Sequence, residues 1–210
     1  MASRRLNDPF PYPNEVFPED WFQTLSVAEL FPDSPDRPVD IDLGCGDGGF
    51  LLQMAEKYPD RNFLGMERLL GRVRKIWKGA ETRGLDNVRV LRCDTNYAVE
   101  YLLPREFASR IHFLCPDPWP KEKHAERRQM CQIPFLKQLH DRLLPQGELL
   151  FKTDHFEYFE ESQEVVSTPE CGFFQQINWP EDETFYPQTD FEKQWLSQGK
   201  TMNSIRLRRP

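Results

Sequence analysis

From Val39 onward the chain alternates short apolar runs with amphipathic stretches. The runs at 39–43, 62–67, 88–92, 110–115 and 148–153 are dense in Val, Ile, Leu and Phe and predict strands. The stretches at 48–57, 69–83, 96–103, 129–143 and 155–166 carry apolar positions at helical spacing and predict helices. Strand and helix in repetition imply an α/β protein with a doubly wound, mostly parallel, Rossmann-like sheet. Further runs at 172–177 and 203–208 predict closing strands, the last of them antiparallel. Residues 1–38 break the pattern. "NDPFPYPNEVFP" mixes proline with aromatics and cannot propagate a helix; a short helix near Trp21 to Leu30 and the turn-rich "PDSPDRP" follow. The expectation is an arm over 1–38, packing or binding through its aromatics, and one domain over 39–210.

Composition narrows this picture. A chain of 210 residues, 39% hydrophobic and 29% charged, suffices for one domain with a sizeable core. Its net charge of -7, from 27 basic and 34 acidic residues, repels nucleic acid as a whole, so any RNA site must be a local basic patch. The five cysteines are scattered without a C-x-x-C pair, which suits buried thiols in a reducing cytosol and neither a disulfide framework nor a metal site. No window approaches the roughly 18 apolar residues of a membrane span. A cytoplasmic protein without membrane or metal is expected.

The first chemical motif, "DIDLGCGDGGF" (40–50), ends the first strand. Gly44, Gly46 and Gly49 fit a dinucleotide loop formally, but Asp42 and Asp47 would repel a pyrophosphate and attract a ligand carrying a sulfonium and an ammonium. The loop therefore favours S-adenosylmethionine. Glu67 closes the second strand, placed to accept ribose hydroxyls, and Asp94 with Thr95 closes the third, within reach of an adenine edge. Acids at strand ends also serve as helix caps. In the helix over 69–83, Leu69, Leu70, Val73, Ile76, Trp77 and Ala80 form the apolar stripe. Arg72, Arg74, Lys75 and Lys78 lie opposite, as a solvated face or a phosphate track.

After the fourth strand comes "PDPWPKEKHAERR" (116–128). Pro116 and Pro118 restrict the backbone around Asp117, Trp119 offers a stacking face, and Lys121, Lys123, His124, Arg127 and Arg128 supply charge for phosphates. The stretch resembles the P-D-P-W-x-K-x-x-H-x-x-R-R signature of the tRNA (guanine-N7)-methyltransferases, and the resemblance runs from about Val39 to Gly199 through "FKTDHFEY" (151–158) and "TDFEKQWLSQG" (189–199). It implies methyl transfer from S-adenosylmethionine to a guanine in the variable loop of tRNA, by a monomer or homodimer. It further implies cofactor contacts from Asp42, Glu67 and Asp94, a catalytic centre at Asp117, and substrate contacts from Lys121, Asp154 and Thr189 to Glu192, Phe191 included. Thr189 and Glu192 equally form a capping box, with Gly199 ending the helix, and His155 reads as structural. Two alternatives stay open: an exocyclic-amine methyltransferase, whose Asp-Pro-Pro-aromatic loop sits at the same strand end, and a non-catalytic RNA-binding protein on the same fold.

Overall fold

A computed structural model describes residues 9–179 and 185–210. Its strands are β1 (Glu15–Val16), β2 (Val39–Leu43), β3 (Asn62–Met66), β4 (Val88–Leu91), β5 (Ala108–Leu114), β6 (Leu143–Thr153), β7 (Gln175–Ile177) and β8 (Asn203–Arg208). The helices are α1 (Val27–Leu30), α2 (Gly49–Lys57), α3 (Leu70–Arg83), α4 (Thr95–Tyr97), α5 (Ile133–Arg142), α6 (Phe156–Val166) and α7 (Asp190–Ser197). All eight strands form one sheet in the order β1-β4-β3-β2-β5-β6-β8-β7. It is parallel from β1 to β6; β8 runs antiparallel to β6, and β7 antiparallel to β8. The winding reverses between β2 and β5, which opens the crevice at their carboxyl ends where such sheets take ligands.

The period of two in β2 divides its residues between two faces. Val39, Ile41 and Leu43 enter one core with Leu136 and Leu139 of α5 and Tyr158 of α6. The other core holds Leu51 and Met54 of α2 with Val73, Ile76 and Trp77 of α3. Asp40 and Asp42 alternate with the apolar residues of β2 and are 1% and 3% exposed, so the strand carries two buried acids.

The N-terminal segment is woven into this body. Tyr12 is buried and stacks on Trp77 at 5.1 Å, β1 extends the sheet beside β4, and Leu25, Leu30 and Phe31 enter the core. Ser26 and Glu29 cap α1 reciprocally. The two-residue β1 was not anticipated because prolines frame it; Arg4 and Arg5 lie outside the described residues. Three other boundaries differ from expectation. The helix expected over 96–103 is α4 followed by one π turn, Ala98–Leu102. The one expected from 129 starts as a 3-10 turn and becomes α5 at Ile133, with a proline in its first turn. Strand β6 begins at Leu143, with a register shift against β5 and Gln146 at φ 64° absorbing the irregularity. Among the described residues no helix is long and apolar enough to cross a membrane.

Candidate active site

A cavity of about 190 Å³ lies at the carboxyl ends of β2 and β5. Its floor is the glycine loop, Gly44 to Asp47, with Asp42 beneath and Gly49 and Phe50 beside it; Leu114 and Cys115 form a wall and Thr189, Asp190, Phe191 and Gln194 the roof. The loop turns back on itself through Gly44 (φ 75°), Gly46 (φ 57°) and Gly48 (φ 82°), a backbone region that L side chains rarely adopt. At Gly48 a Cβ would also lie 2.6 Å from Ile76, so the loop sits tight on α3.

Asp42 makes no hydrogen bond or ion pair among the described residues, and burial alone pushes its carboxyl up to about 7. Glu67 is also buried; it accepts from the Leu69 amide at 2.7 Å and from Arg72 at 3.3 Å. Arg72 lines the cavity and reaches toward Asp47 at 3.8 Å, and Lys75 holds Asp47 at 2.6 Å. Part of the basic face of α3 is thus used to brace the loop. Asp94 is exposed and caps α4, accepting from the amides of Asn96 (3.0 Å) and Tyr97 (3.4 Å), with Thr95 the first residue of that helix.

The segment after β5 is shaped by two residues in the left-handed region, Cys115 (φ 51°) and Trp119 (φ 44°), an arrangement costing on the order of 1–3 kcal/mol per residue. Between them Asp117 is exposed on the rim of the crevice, two residues beyond the cavity wall at Cys115. Arg127 places its guanidinium 4.8 Å from the centre of the Trp119 ring, and His124 meets that ring edge-on at 6.0 Å. Lys121, Lys123 and Arg127 are exposed.

Arg128 departs from the phosphate role expected of it. Only 2% exposed, it donates to the carbonyls of Pro118 (2.9 Å) and Trp119 (3.3 Å) and pairs with Glu161, so its guanidinium is consumed in holding the loop. The sequence signal for both uses is the same arginine pair; only the α6 carboxylates Glu157 and Glu161 distinguish them.

On the opposite side Thr189 caps α7, accepting from the Glu192 amide at 3.0 Å, and Gly199 (φ 76°) ends it. Glu192 does not close the box. It is 5% exposed and pairs with Lys152 at 3.0 Å. Asp154 pairs with Lys200 at 2.6 Å, and His155 caps α6 through Nδ1, a structural role. Of the expected site residues, Asp42, Gly44, Gly46, Asp47, Thr189, Asp190 and Phe191 line the cavity. The others lie near the same sheet edge, outside its lining. Phe50, Leu114, Cys115 and Gln194 were not anticipated; Gln194 stands one helical turn after Asp190, a spacing that points it the same way. Burial pushes the Cys115 thiol up to about 11, so it is no nucleophile at neutral pH. Among the described residues no group of three or more His, Cys, Asp and Glu is placed to hold a metal ion.

This fold is that of methyltransferases of known structure. An antibiotic-related methyltransferase superposes with a TM-score of 0.61 at 20% identity, over 87% of this chain and 94% of that one. The antibiotic-resistance methyltransferase Kmr does so with a TM-score of 0.58 at 18% identity, over 89% and 93%. Residues 36–205 match the model of a family described as putative methyltransferase. A tRNA (guanine-N(7)-)-methyltransferase from Marinobacter nauticus is 36% identical over 78% of this chain and 69% of its own. Its counterpart from Syntrophotalea carbinolica is 32% identical over 82% and 75%. The chain belongs to the tRNA (guanine-N(7)-)-methyltransferase family.

Proposed function

We propose that this protein binds S-adenosylmethionine in the cavity and methylates N7 of a guanine in the variable loop of tRNA. The observation that carries the reading is Asp42, a carboxylate 3% exposed, without a partner among the described residues, at the floor of a glycine-lined cavity. A buried acid of this kind calls for a cationic ligand, and the donor set fits one with a sulfonium and an ammonium. Asp42 and the backbone of Gly44 and Gly46 would hold its charged end. Glu67, already held by Leu69 and Arg72, has an oriented carboxylate for ribose hydroxyls, and Asp94 with Thr95 would flank the adenine.

The cofactor supplies an electrophilic methyl group on a positively charged sulfur. Guanine N7 offers an in-plane lone pair and carries no proton, so the protein needs to align groups and needs no base. As positive charge passes to the purine, a fixed carboxylate stabilises it; Asp117, restricted by Pro116 and Pro118, is that group. Trp119 supplies a flat face for a base, in exchange for Arg127, and Lys121, Lys123, His124 and Arg127 meet the phosphates around it. Asp154 and Thr189 to Glu192 form the other side of the substrate cleft. Arg128 keeps the loop in shape. The reading is tested by incubating the protein with isotopically labelled cofactor and unmodified tRNA and digesting the product to nucleosides: label in 7-methylguanosine supports it. Label in an exocyclic-amine product, or RNA binding without cofactor binding, refutes it.

A further inference from the structure

The roof of the cavity is a short helix with little of its own to hold it. α7 is eight residues long, and its one buried side chain is the charged Glu192. Helices of this length are marginal without tertiary contacts, and no apolar stripe docks this one. Its position must come from tethers. One is Lys152 of β6, paired with Glu192 at 3.0 Å. The second lies just before the helix, where the chain returns across the face of the sheet that carries Asp40 and His112.

Tyr186 stands three residues before the cap Thr189. Its hydroxyl lies 2.8 Å from Nδ1 of His112, on β5. Nε2 of the same ring faces Asp40 of β2 at 4.0 Å, and Arg61 grips Asp40 through two hydrogen bonds of 3.2 and 2.6 Å. At 2.8 Å the tyrosine hydroxyl and Nδ1 share one hydrogen bond, whichever of the two carries the proton. Asp40 and His112 are each 1% exposed and take no part in the chemistry above. The Tyr186 ring packs on Phe50 at 5.1 Å and Trp179 at 4.9 Å and lies under Lys152 Nζ at 4.8 Å, so it touches both a cavity-lining residue and the first tether. The roof lies close over the glycine loop: a Cβ on Gly49 would lie 2.8 Å from the Asp190 carboxylate. Ring packing resists separation but not sliding, whereas a hydrogen bond is directional and fixes one position.

We propose that Tyr186 and His112 are positioning residues for the transfer reaction: their hydrogen bond sets where Thr189, Asp190 and Phe191 sit above the glycine loop, and thereby the affinity for the cofactor. The inference rests on reading the cavity as the cofactor site. Tyr186→Phe removes one oxygen and keeps the ring; His112→Phe removes the partner nitrogen and keeps the volume. Amide hydrogen exchange over residues 187–197 without ligand reads the roof directly. It should quicken about 5- to 10-fold in either variant, the size of one lost hydrogen bond. KM for S-adenosylmethionine should rise by a similar factor with kcat nearly unchanged, and the double variant should be no worse than either single one. Unchanged exchange in Tyr186→Phe overturns the proposal. So does faster exchange with an unchanged KM, which would make the bond merely structural, and so do losses that add in the double variant. Wild-type protein that bound no cofactor would instead remove the reading of the cavity, while exchange would still show whether the bond holds the roof.

Discussion

Asp42 is buried without a counter-charge among the described residues, so its protonation is coupled both to stability and to ligand binding. Its carboxyl, raised to about 7 by burial, is mostly neutral in the folded protein below that pH and ionised in the unfolded chain above its ordinary value of 3.8. The native state then binds more protons across that window, and the protein loses roughly 4 kcal/mol of stability as pH rises through it. Asp42→Asn is expected to unfold at a higher denaturant concentration than wild type at pH 8 and to show no such loss. Binding has the opposite sign. A cationic cofactor prefers the ionised acid, so affinity should rise by up to about tenfold per pH unit toward pH 7 and then level off. Calorimetry across pH checks this, and a flat profile for wild type would remove Asp42 from the contact. For Asp117 the prediction separates chemistry from docking: Asp117→Asn, which keeps shape and loses charge, should lower kcat by a factor on the order of 10² to 10³ with tRNA affinity nearly intact. Single-turnover rates at saturating tRNA decide between charge stabilisation and a binding role. The backbone restriction around Asp117 was legible from its two prolines. The burial of Asp42 was not, because the alternation V-D-I-D-L reads as half-solvated until both faces of β2 are seen to be covered.

The element that most depends on tertiary context is the loop over 115–128. Of its two left-handed residues, Cys115 donates its amide to the Lys152 carbonyl, and Trp119 is held by Arg128, whose donors are spent on the carbonyls of Pro118 and Trp119. Arg128→Ala should therefore destabilise the protein by about 2 kcal/mol, seen as a lower Tm, and leave the salt dependence of tRNA binding almost unchanged. Lys121→Ala and Arg127→Ala should do the reverse, each lowering the slope of log K against log salt by about 0.7 to 0.9 without loss of Tm. Equal slopes for all three variants would contradict this division of labour. The sequence displayed the charge of the loop but not its direction, since an arginine reaching solvent and one turned under the backbone look alike. The five central strands and the helices α2, α3 and α6 were legible from periodicity because their buried positions recur along the chain. The N-terminal strand, the π turn after Asp94 and the early start of β6 were not, because each is set by a neighbouring segment: β4 for the first, the Asp94 cap for the second, the register shift against β5 for the third.

At the scale of the molecule, a net charge of -7 is compatible with a nucleic-acid substrate only if the cationic groups are concentrated where the substrate lands. The structure meets this by spending many arginines internally, as in Arg61 on Asp40, Arg92 on Glu15 and Arg206 on Glu148, and by leaving Lys121, Lys123 and Arg127 exposed beside the crevice. The chain reversal between β2 and β5 then brings the glycine loop, the acid held between prolines and the roof helix to one edge of one sheet. The reaction expected at this edge is transfer of a methyl group to guanine N7. Its most direct measurement is the mass of the nucleosides released from tRNA after incubation with isotopically labelled S-adenosylmethionine. Label is expected in 7-methylguanosine from wild-type protein, and at least a hundredfold less from Asp117→Asn in the same time, the lower end of the loss expected for one preorganised charge. Label in another nucleoside, or equal yields from the two proteins, would contradict it.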